Sequence, residues 1–273
     1  MAKSSKTLMI AAVVVVAVIV VAAVGILLLG NQGTDGRSAL EKIKDRGKLI
    51  VGTSSGFPPF EMANGSKIEG FDIDLAQKIA DRLGVELEVQ DLSFDVLIQS
   101  VIDGKIDMIL AGMTINADRN ESVLFSMPYF SQGVNQSVII KNTTTDIESI
   151  DDLAGKTITV NSGTTGYYWV QDALVNTGKV SADNVIGYGT ASDTIQELKR
   201  AGGADVIIID SAVAKEFVEN NDGIRIAFEI PTDESYGVAM PLGATTLAEE
   251  VNDLLAEMEA NGEMDALRAK WGV

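Results

Sequence analysis

Met108-Ile109-Leu110-Ala111-Gly112-Met113-Thr114-Ile115-Asn116-Ala117-Asp118-Arg119 changes character part-way along. It opens as an apolar run that reads as a buried strand. It closes as a small, polar loop carrying one arginine. In open α/β sheets, ligands sit outside the carboxyl ends of the strands. Small residues at Ala111 and Gly112 let a ligand approach the backbone, and Thr114 adds a hydroxyl. Arg119 offers a planar fork of donors that matches a carboxylate. The stretch reads as half of a carboxylate site. The competing reading is a surface loop in which Arg119 pairs with Asp118 or Glu121, a weak interaction when exposed.

Outward from this stretch the chain is built of strand–helix units. Residues 47–52 form a first strand, followed by a loop stiffened by Pro58 and Pro59, and Asn64-Gly65 marks a hairpin turn. Apolar residues at Ile73, Leu75, Ala76, Ile79, Ala80 and Leu83 predict a helix over 72–83, stopped by Gly84. A strand over 85–89, a helix over 94–102 begun at Ser93 and a strand over 106–110 follow. Such alternation predicts a mainly parallel sheet. A second round starts at Gly155-Lys156-Thr157-Ile158-Thr159-Val160. It passes through the polar loop 161–166 and helices over 167–175 and 192–201 to the strand 205–209. The recurrence predicts two similar lobes, although βα units share this punctuation generally. The tail, 247–271, is an amphipathic helix pair broken at Asn261-Gly262, with an apolar stripe that packs back on the first lobe.

Composition removes several chemistries. The 273 residues contain no cysteine and no histidine, so disulfides, thiolate or histidine metal sites and Ser-His-Asp catalysis are excluded. The formal net charge of -18 opposes nucleic-acid binding, which needs clustered Lys and Arg. From Leu8 to Leu29 the chain is uncharged and almost wholly Ala, Val, Ile and Leu, about the length of a membrane-spanning helix. Lys3 and Lys6 place residues 1–7 in the cytoplasm. The exit at Leu29-Gly30 is a poor cleavage site, so 8–29 reads as an uncleaved single-pass anchor and 30–43 as a tether. The rest then lies on the extracellular or periplasmic side.

The second round ends like the first. Asp210 closes the apolar run 206–209. It either caps the helix that follows or faces Arg119 across a cleft and accepts an ammonium. A cation on one wall and an anion on the other fit the two ends of an α-amino acid. The loop before residue 167 turns its N–H groups toward an anion, or Thr164 or Thr165 merely caps that helix. Phe57 and Phe94 either stack on a ligand or belong to the core.

Taken together, these residues resemble the family 3 extracellular solute-binding proteins of polar amino-acid ABC importers. The resemblance rests on Gly52-Thr53 with Phe57-x-Pro59-Phe60-Glu61, Gly70-Phe71-Asp72-Ile73-Asp74-Leu75, Phe94-Asp95-x-Leu97-Ile98 and the 111–119 stretch. Phe125-Ser126-x-Pro128-Tyr129, Leu153-x-Gly155-Lys156, Ser162-Gly163-Thr164-Thr165 and the close at Asn261-Gly262 through Trp271 extend it. It covers the chain from about residue 40 onward. The resemblance implies a two-lobed α/β fold of the periplasmic-binding-protein type II. Lobe 1 would take 44–132 and 235–273 and lobe 2 would take 133–234, with crossovers near Tyr129 to Gly133 and Glu234 to Val238. It implies that Arg119 holds the ligand α-carboxylate with Thr114 and the Thr165 backbone. Asp210 would hold the α-ammonium with the Gly112 carbonyl, and Phe57 and Phe94 would sandwich the side chain. Ala111, Ser54, Asn161 and Thr164 complete the expected site. Members selecting cationic ligands often carry an acid where Ser54 stands; here the far end of the pocket would hold Ser54 and Asn161, both neutral, which leans toward an uncharged polar ligand. Glu61 keeps a cationic ligand open if it reaches the pocket. The implied partner is an ABC permease and its ATPase. The resemblance calls for a monomeric binder with no cofactor, no metal and no catalysis. The alternatives are a cyclohexadienyl dehydratase-like enzyme on the same fold and a ligand-sensing ectodomain.

Overall fold

The computed structural model describes residues 36–273, apart from the side chains of 132–134 and 233. The expected cytoplasmic segment, the anchor and most of the tether lie outside the described residues. Among those described, no helix is long and apolar enough to cross a membrane. The last part of the expected tether is helical. In α1 (Ala39–Arg46), Ile43 is fully buried, and that apolar side chain ties the segment to the folded unit.

The first lobe begins with β1 (Lys48–Thr53), the hairpin β2 (Met62–Asn64) and β3 (Lys67–Glu69), and α2 (Phe71–Leu83). Then come β4 (Glu86–Asp91), a 3-10 turn at Phe94–Val96 and α3 (Leu97–Ile102). β5 (Met108–Ile109), α4 (Ala117–Asn120) and β6 (Val123–Phe125) follow. The chain then enters the long β7 (Phe130–Lys141). In the second lobe lie β8 (Ile158–Asn161), α5 (Thr165–Val170), β9 (Val185–Tyr188) and α6 (Ala191–Lys199). β10 (Val206–Asp210), α7 (Ser211–Glu219) and β11 (Ile224–Tyr236) complete that lobe. β12 (Ala239–Pro241), α8 (Thr245–Asn261) and α9 (Glu263–Trp271) finish the chain.

Two five-stranded sheets result, ordered β4-β1-β5-β12-β6 and β11-β7-β10-β8-β9. Each has the expected parallel centre, with β1 between β4 and β5, and β8 between β9 and β10. Each is then flanked by antiparallel strands, β12 in one sheet and β7 with β11 in the other. Neither sheet is therefore wholly parallel, because the chain must pass between lobes twice. It leaves the first sheet between Phe125 and Phe130 and returns between Tyr236 and Ala239. The two crossing strands pair with each other at Phe130 and Tyr236.

Strand β10 explains why the sequence shows a continuous apolar run there. Val206 and Ile208 pack into one core cluster with Ile158 and Val160, while Ile207 and Ile209 face another with Val213 and Phe217. A strand covered on both faces loses the period-two alternation. Helix boundaries shift modestly from expectation. The segment expected as a helix over 167–175 starts at Thr165 and becomes a π-turn over Gln171–Val175.

At the crossing point sits an aromatic knot. Phe60 packs edge-on to Phe130 at 5.1 Å and to Tyr236 at 5.2 Å, and Phe71 stacks on Tyr129 at 5.9 Å. Each such pair adds roughly 0.5–1.5 kcal/mol beyond the area it buries. The knot fixes the first lobe to the crossovers and so fixes the floor of the cleft.

Candidate functional site

The loop after β5 is set by one buried carboxylate. Asp72, in the first turn of α2, accepts the Gly112 N–H and the Tyr129 hydroxyl on one oxygen, each at 2.8 Å. Its other oxygen has no partner. Burial pushes Asp72 up to about 7, against the pull of the two donors. Gly112 adopts φ +53, and a Cβ there would lie 2.5 Å from the Phe57 ring. Only glycine fits both demands. Because its N–H is taken by Asp72, Gly112 has its carbonyl left to offer a ligand.

Arg119 is turned inward from α4, which Asn116 caps by accepting the Arg119 N–H at 2.9 Å. Its residue is 7% exposed. The guanidinium donates to the Thr114 carbonyl at 2.8 Å and to the Gly163 carbonyl of the other lobe at 3.1 Å. It stands 5.4 Å above the Phe94 ring, within cation–π range. The alternative of a surface ion pair with Asp118 or Glu121 is thus set aside. Burial draws the Arg119 pKa down, while Asp210 and Glu234 act in the opposite sense.

Asp210 occupies the N-cap position of α7, yet its side chain makes no capping bond. It accepts instead from Gln136 Nε2 at 2.6 Å and from the Tyr236 hydroxyl. Burial, followed by the nearby Glu234 charge, pushes Asp210 up to about 7. The Tyr236 and Gln136 bonds and the Arg119 charge oppose the rise. Thr164 does cap α5, accepting the Tyr167 N–H at 3.1 Å. Thr165 is used differently, donating its hydroxyl to Glu234 at 2.7 Å.

These side chains meet around one tightly closed cavity of about 10 Å³, room for no more than about one water molecule. Ser54, Phe57, Phe94, Gly112, Thr114, Arg119, Asn161, Thr164, Thr165 and Asp210 line it. Ala111 does not. It is buried in the first lobe among Phe94, Leu97, Val101 and Met113, a core role that its small apolar side chain suits. Glu61 joins the lining residues. It is fully buried, and neither carboxylate oxygen has a hydrogen-bond partner. Burial, then the charges of Asp72, Asp91 and Asp210, raise its pKa well above the usual range. Above the cavity the lobes touch: Phe94 N–H donates to the Gly189 carbonyl and the Ser192 hydroxyl to the Gly56 carbonyl, both at 3.1 Å.

Residues 49–273 match the bacterial extracellular solute-binding proteins, family 3. The chain belongs to that family. Among its relatives, the arginine-binding extracellular protein ArtP of Bacillus subtilis (strain 168) is 34% identical, over 82% of this chain and 86% of ArtP. The L-cystine-binding protein TcyJ of Escherichia coli (strain K12) is 32% identical over 85% of each chain. The crystal structure of a mutant of ArgBP from T. maritima superposes with a TM-score of 0.79 at 40% identity, covering 85% of this chain and 98% of that one. Family 3 solute-binding proteins capture a polar amino acid outside the cytoplasm for an ABC importer, and so does this one. The named relatives are binding proteins, and this solute-binding protein is a binder rather than an enzyme of the dehydratase kind.

Sequence reasoning had no signal for Gln136, Glu234 or Tyr236 in this binding protein. All three lie on the crossing strands, where residue type is dictated by a hydrogen-bond network rather than by strand patterning. Tyr236 falls inside the crossover expected at Glu234 to Val238, but nothing in its spacing points to Asp210.

Proposed function

We propose that the captured amino acid is cationic, with arginine as the reference ligand. The observation that carries this reading is Glu61, a buried carboxylate with both oxygens unpartnered, facing the cavity that Arg119 and Asp210 line. A zwitterion with a neutral side chain satisfies Arg119 and Asp210 and leaves Glu61 either protonated or an uncompensated buried charge. Burying such a charge without a partner is costly. A guanidinium or ammonium at the ligand's far end supplies the missing partner. Ser54 and Asn161 motivated the expectation of an uncharged ligand. Glu61, left open on the condition that it reach the pocket, reverses that lean.

In this reading Arg119 takes the α-carboxylate and Asp210 the α-ammonium, with the Gly112 carbonyl beside it. Phe57 and Phe94 flank the aliphatic part of the ligand. Charge-assisted hydrogen bonds contribute roughly 1.5–3 kcal/mol each. Three or four of them, less ordering costs, reach the roughly 8 kcal/mol of micromolar binding. Lobe 1 is taken as 44–132 with 235–273 and lobe 2 as 133–234, closing about the crossovers on the ligand. The apolar run 8–29 anchors the protein, and the tether raises its effective concentration at the permease.

Calorimetric titration with arginine, lysine, glutamine and cystine tests the ligand class. The cationic pair should bind at least about tenfold tighter than glutamine. Glu61→Gln should erase that preference. Glutamine binding as tightly as arginine to the wild type overturns the assignment.

A further inference from the structure

Glu234 sits on β11, just before the chain returns to the first lobe, and lies behind the cavity wall. One of its carboxylate oxygens, Oε2, accepts hydroxyl protons from two sides. Thr114 Oγ1 donates from the first lobe at 2.6 Å and Thr165 Oγ1 from the second at 2.7 Å. The other oxygen, Oε1, accepts from Gln136 Nε2 at 3.2 Å, and the same nitrogen reaches Asp210 at 2.6 Å.

The two threonines are held differently. Thr114 is part of the crossover's own pairing, bridged to Tyr236, with Ile115 N–H on the Ser235 carbonyl at 2.8 Å and Gly237 N–H on the Met113 carbonyl at 3.1 Å. That pairing ties it to the strand that carries Glu234. Thr165 arrives with the second lobe as the first residue of α5. Its neighbour Gly166 lets Gln136 come close, since a Cβ there would lie 2.6 Å from Gln136 Oε1.

A hydroxyl has one proton and two lone pairs. A carboxylate offers only lone pairs, so both protons point at Glu234. Thr114 and Thr165 also line the cavity, and what they have left for a ligand is acceptor capacity. The Thr114 hydroxyl proton is thus directed to Glu234 and not to a ligand carboxylate. Acceptors beside Asp210 and the Gly112 carbonyl suit an ammonium.

We propose that Glu234 is a positioning residue for ligand capture: it clasps Thr114 and Thr165 across the closed cleft and turns both hydroxyl oxygens toward the ligand's α-ammonium. The proposal rests on reading the cleft as an amino-acid site, and its test separates the two.

Arginine titrations on wild type, Glu234→Ala, Thr165→Val and the double variant read the clasp. Each single change should weaken arginine binding roughly tenfold or more through faster dissociation. The double variant should be little weaker than the worse single, because both changes break one interaction. Two arginine analogues read the polarity. Argininic acid has a hydroxyl in place of the α-amino group, and agmatine lacks the carboxylate. Thr165→Val should weaken argininic acid less than arginine, because only the clasp and no ammonium contact is then lost, and should weaken agmatine as much as arginine. With no native cysteine, Lys105→Cys and Asp151→Cys give a unique label pair, one on each lobe, whose distance should lengthen in Glu234→Ala at saturating arginine. Additive losses in the double variant, or a Thr165→Val loss kept with argininic acid and absent with agmatine, overturn the clasp. A wild type that binds no amino acid defeats the reading of the cleft instead. Thermal unfolding without ligand checks each fold. Should Glu234→Ala not fold, Thr165→Val with the two analogues decides the matter.

Discussion

Arg119 and Gly163 join the two lobes directly, the guanidinium Nη2 donating to the Gly163 carbonyl at 3.1 Å while Nη1 holds Thr114 of its own lobe. The cation assigned to the ligand carboxylate is thus oriented by backbone from both walls. Arg119→Ala should reduce amino-acid affinity at least about a hundredfold, since it removes charge-assisted bonds together with the cross-cleft tie. Arg119→Lys should recover little of that, because one ammonium cannot reproduce the two-pronged geometry. Calorimetry on variants with unchanged far-ultraviolet circular dichroism checks both. Arg119→Lys binding as well as wild type would remove Arg119 from the carboxylate role.

Closure also depends on absent side chains. Phe94 N–H reaches the Gly189 carbonyl, and a Cβ on Gly189 would lie 2.7 Å from Ser93 Oγ and 3.1 Å from Ser93 Cβ on the opposite lobe. This crowding arises only where the lobes meet, and φ at Gly189 lies outside the left-handed region. Gly189→Ala should leave unliganded stability nearly untouched and weaken ligand binding by about 1 kcal/mol, roughly fivefold. A matched pair of melting curves, with and without arginine, reads the difference. A smaller ligand-induced shift than wild type is expected, at an unchanged starting midpoint.

Much of this arrangement was legible before any coordinates. The strand ends at Leu110 and Ile209 announced themselves by apolar runs breaking into small or charged residues, and Arg119 and Asp210 stood where such ends place ligands. The recurrence of one strand–loop–helix order gave the two lobes. What escaped had no local cause. Glu234, Gln136 and Tyr236 take their roles from partners distant in the chain, and such bonds leave no spacing to read. Ala111 lies in a core cluster, and a small residue at a strand end suits backbone approach and core packing equally well. Glu61 could be weighed only conditionally, since a carboxylate in a loop is usually solvated. Its burial follows from a turn that folds Glu61 back onto Gly56 and Phe57, which residue type does not reveal.

The N-terminal segment gives a prediction of its own. An uncharged run over 8–29 preceded by Lys3 and Lys6 should hold the full chain in the membrane fraction through washes with high salt and carbonate. A chain starting at Asn31 should be soluble and bind the same ligand with the same affinity, because α1 begins beyond it at Ala39. Intact mass of the mature protein checks cleavage. A product lacking the first thirty residues would exclude the anchor.

Asp210 ties ligand capture to protons. In the closed cleft its pKa stands near 7, above the ordinary 3.8, chiefly because it is buried. A ligand ammonium against Asp210 favours the charged form and draws that pKa down. Binding between about pH 4 and 7 therefore expels a proton. Affinity should rise with pH up to about 7 and level off above it, with a slope of at most about tenfold per pH unit for one group. Unliganded stability runs the other way. A carboxyl whose folded pKa exceeds its unfolded one favours the fold most below about pH 4, and that contribution is lost as pH climbs through about 7. The loss is at most about 4 kcal/mol. Asp72 adds a loss of the same sign. The melting midpoint of the free protein should therefore fall from pH 4 to 7, less so in Asp210→Asn and less so at saturating arginine. Calorimetry at pH 6 in two buffers of different ionisation heat reads the proton release directly. Because Glu61 would also release a proton to a cationic ligand, the Asp210 share is the part of the buffer dependence that Asp210→Asn loses; no such loss would mean that Asp210 does not meet the ammonium.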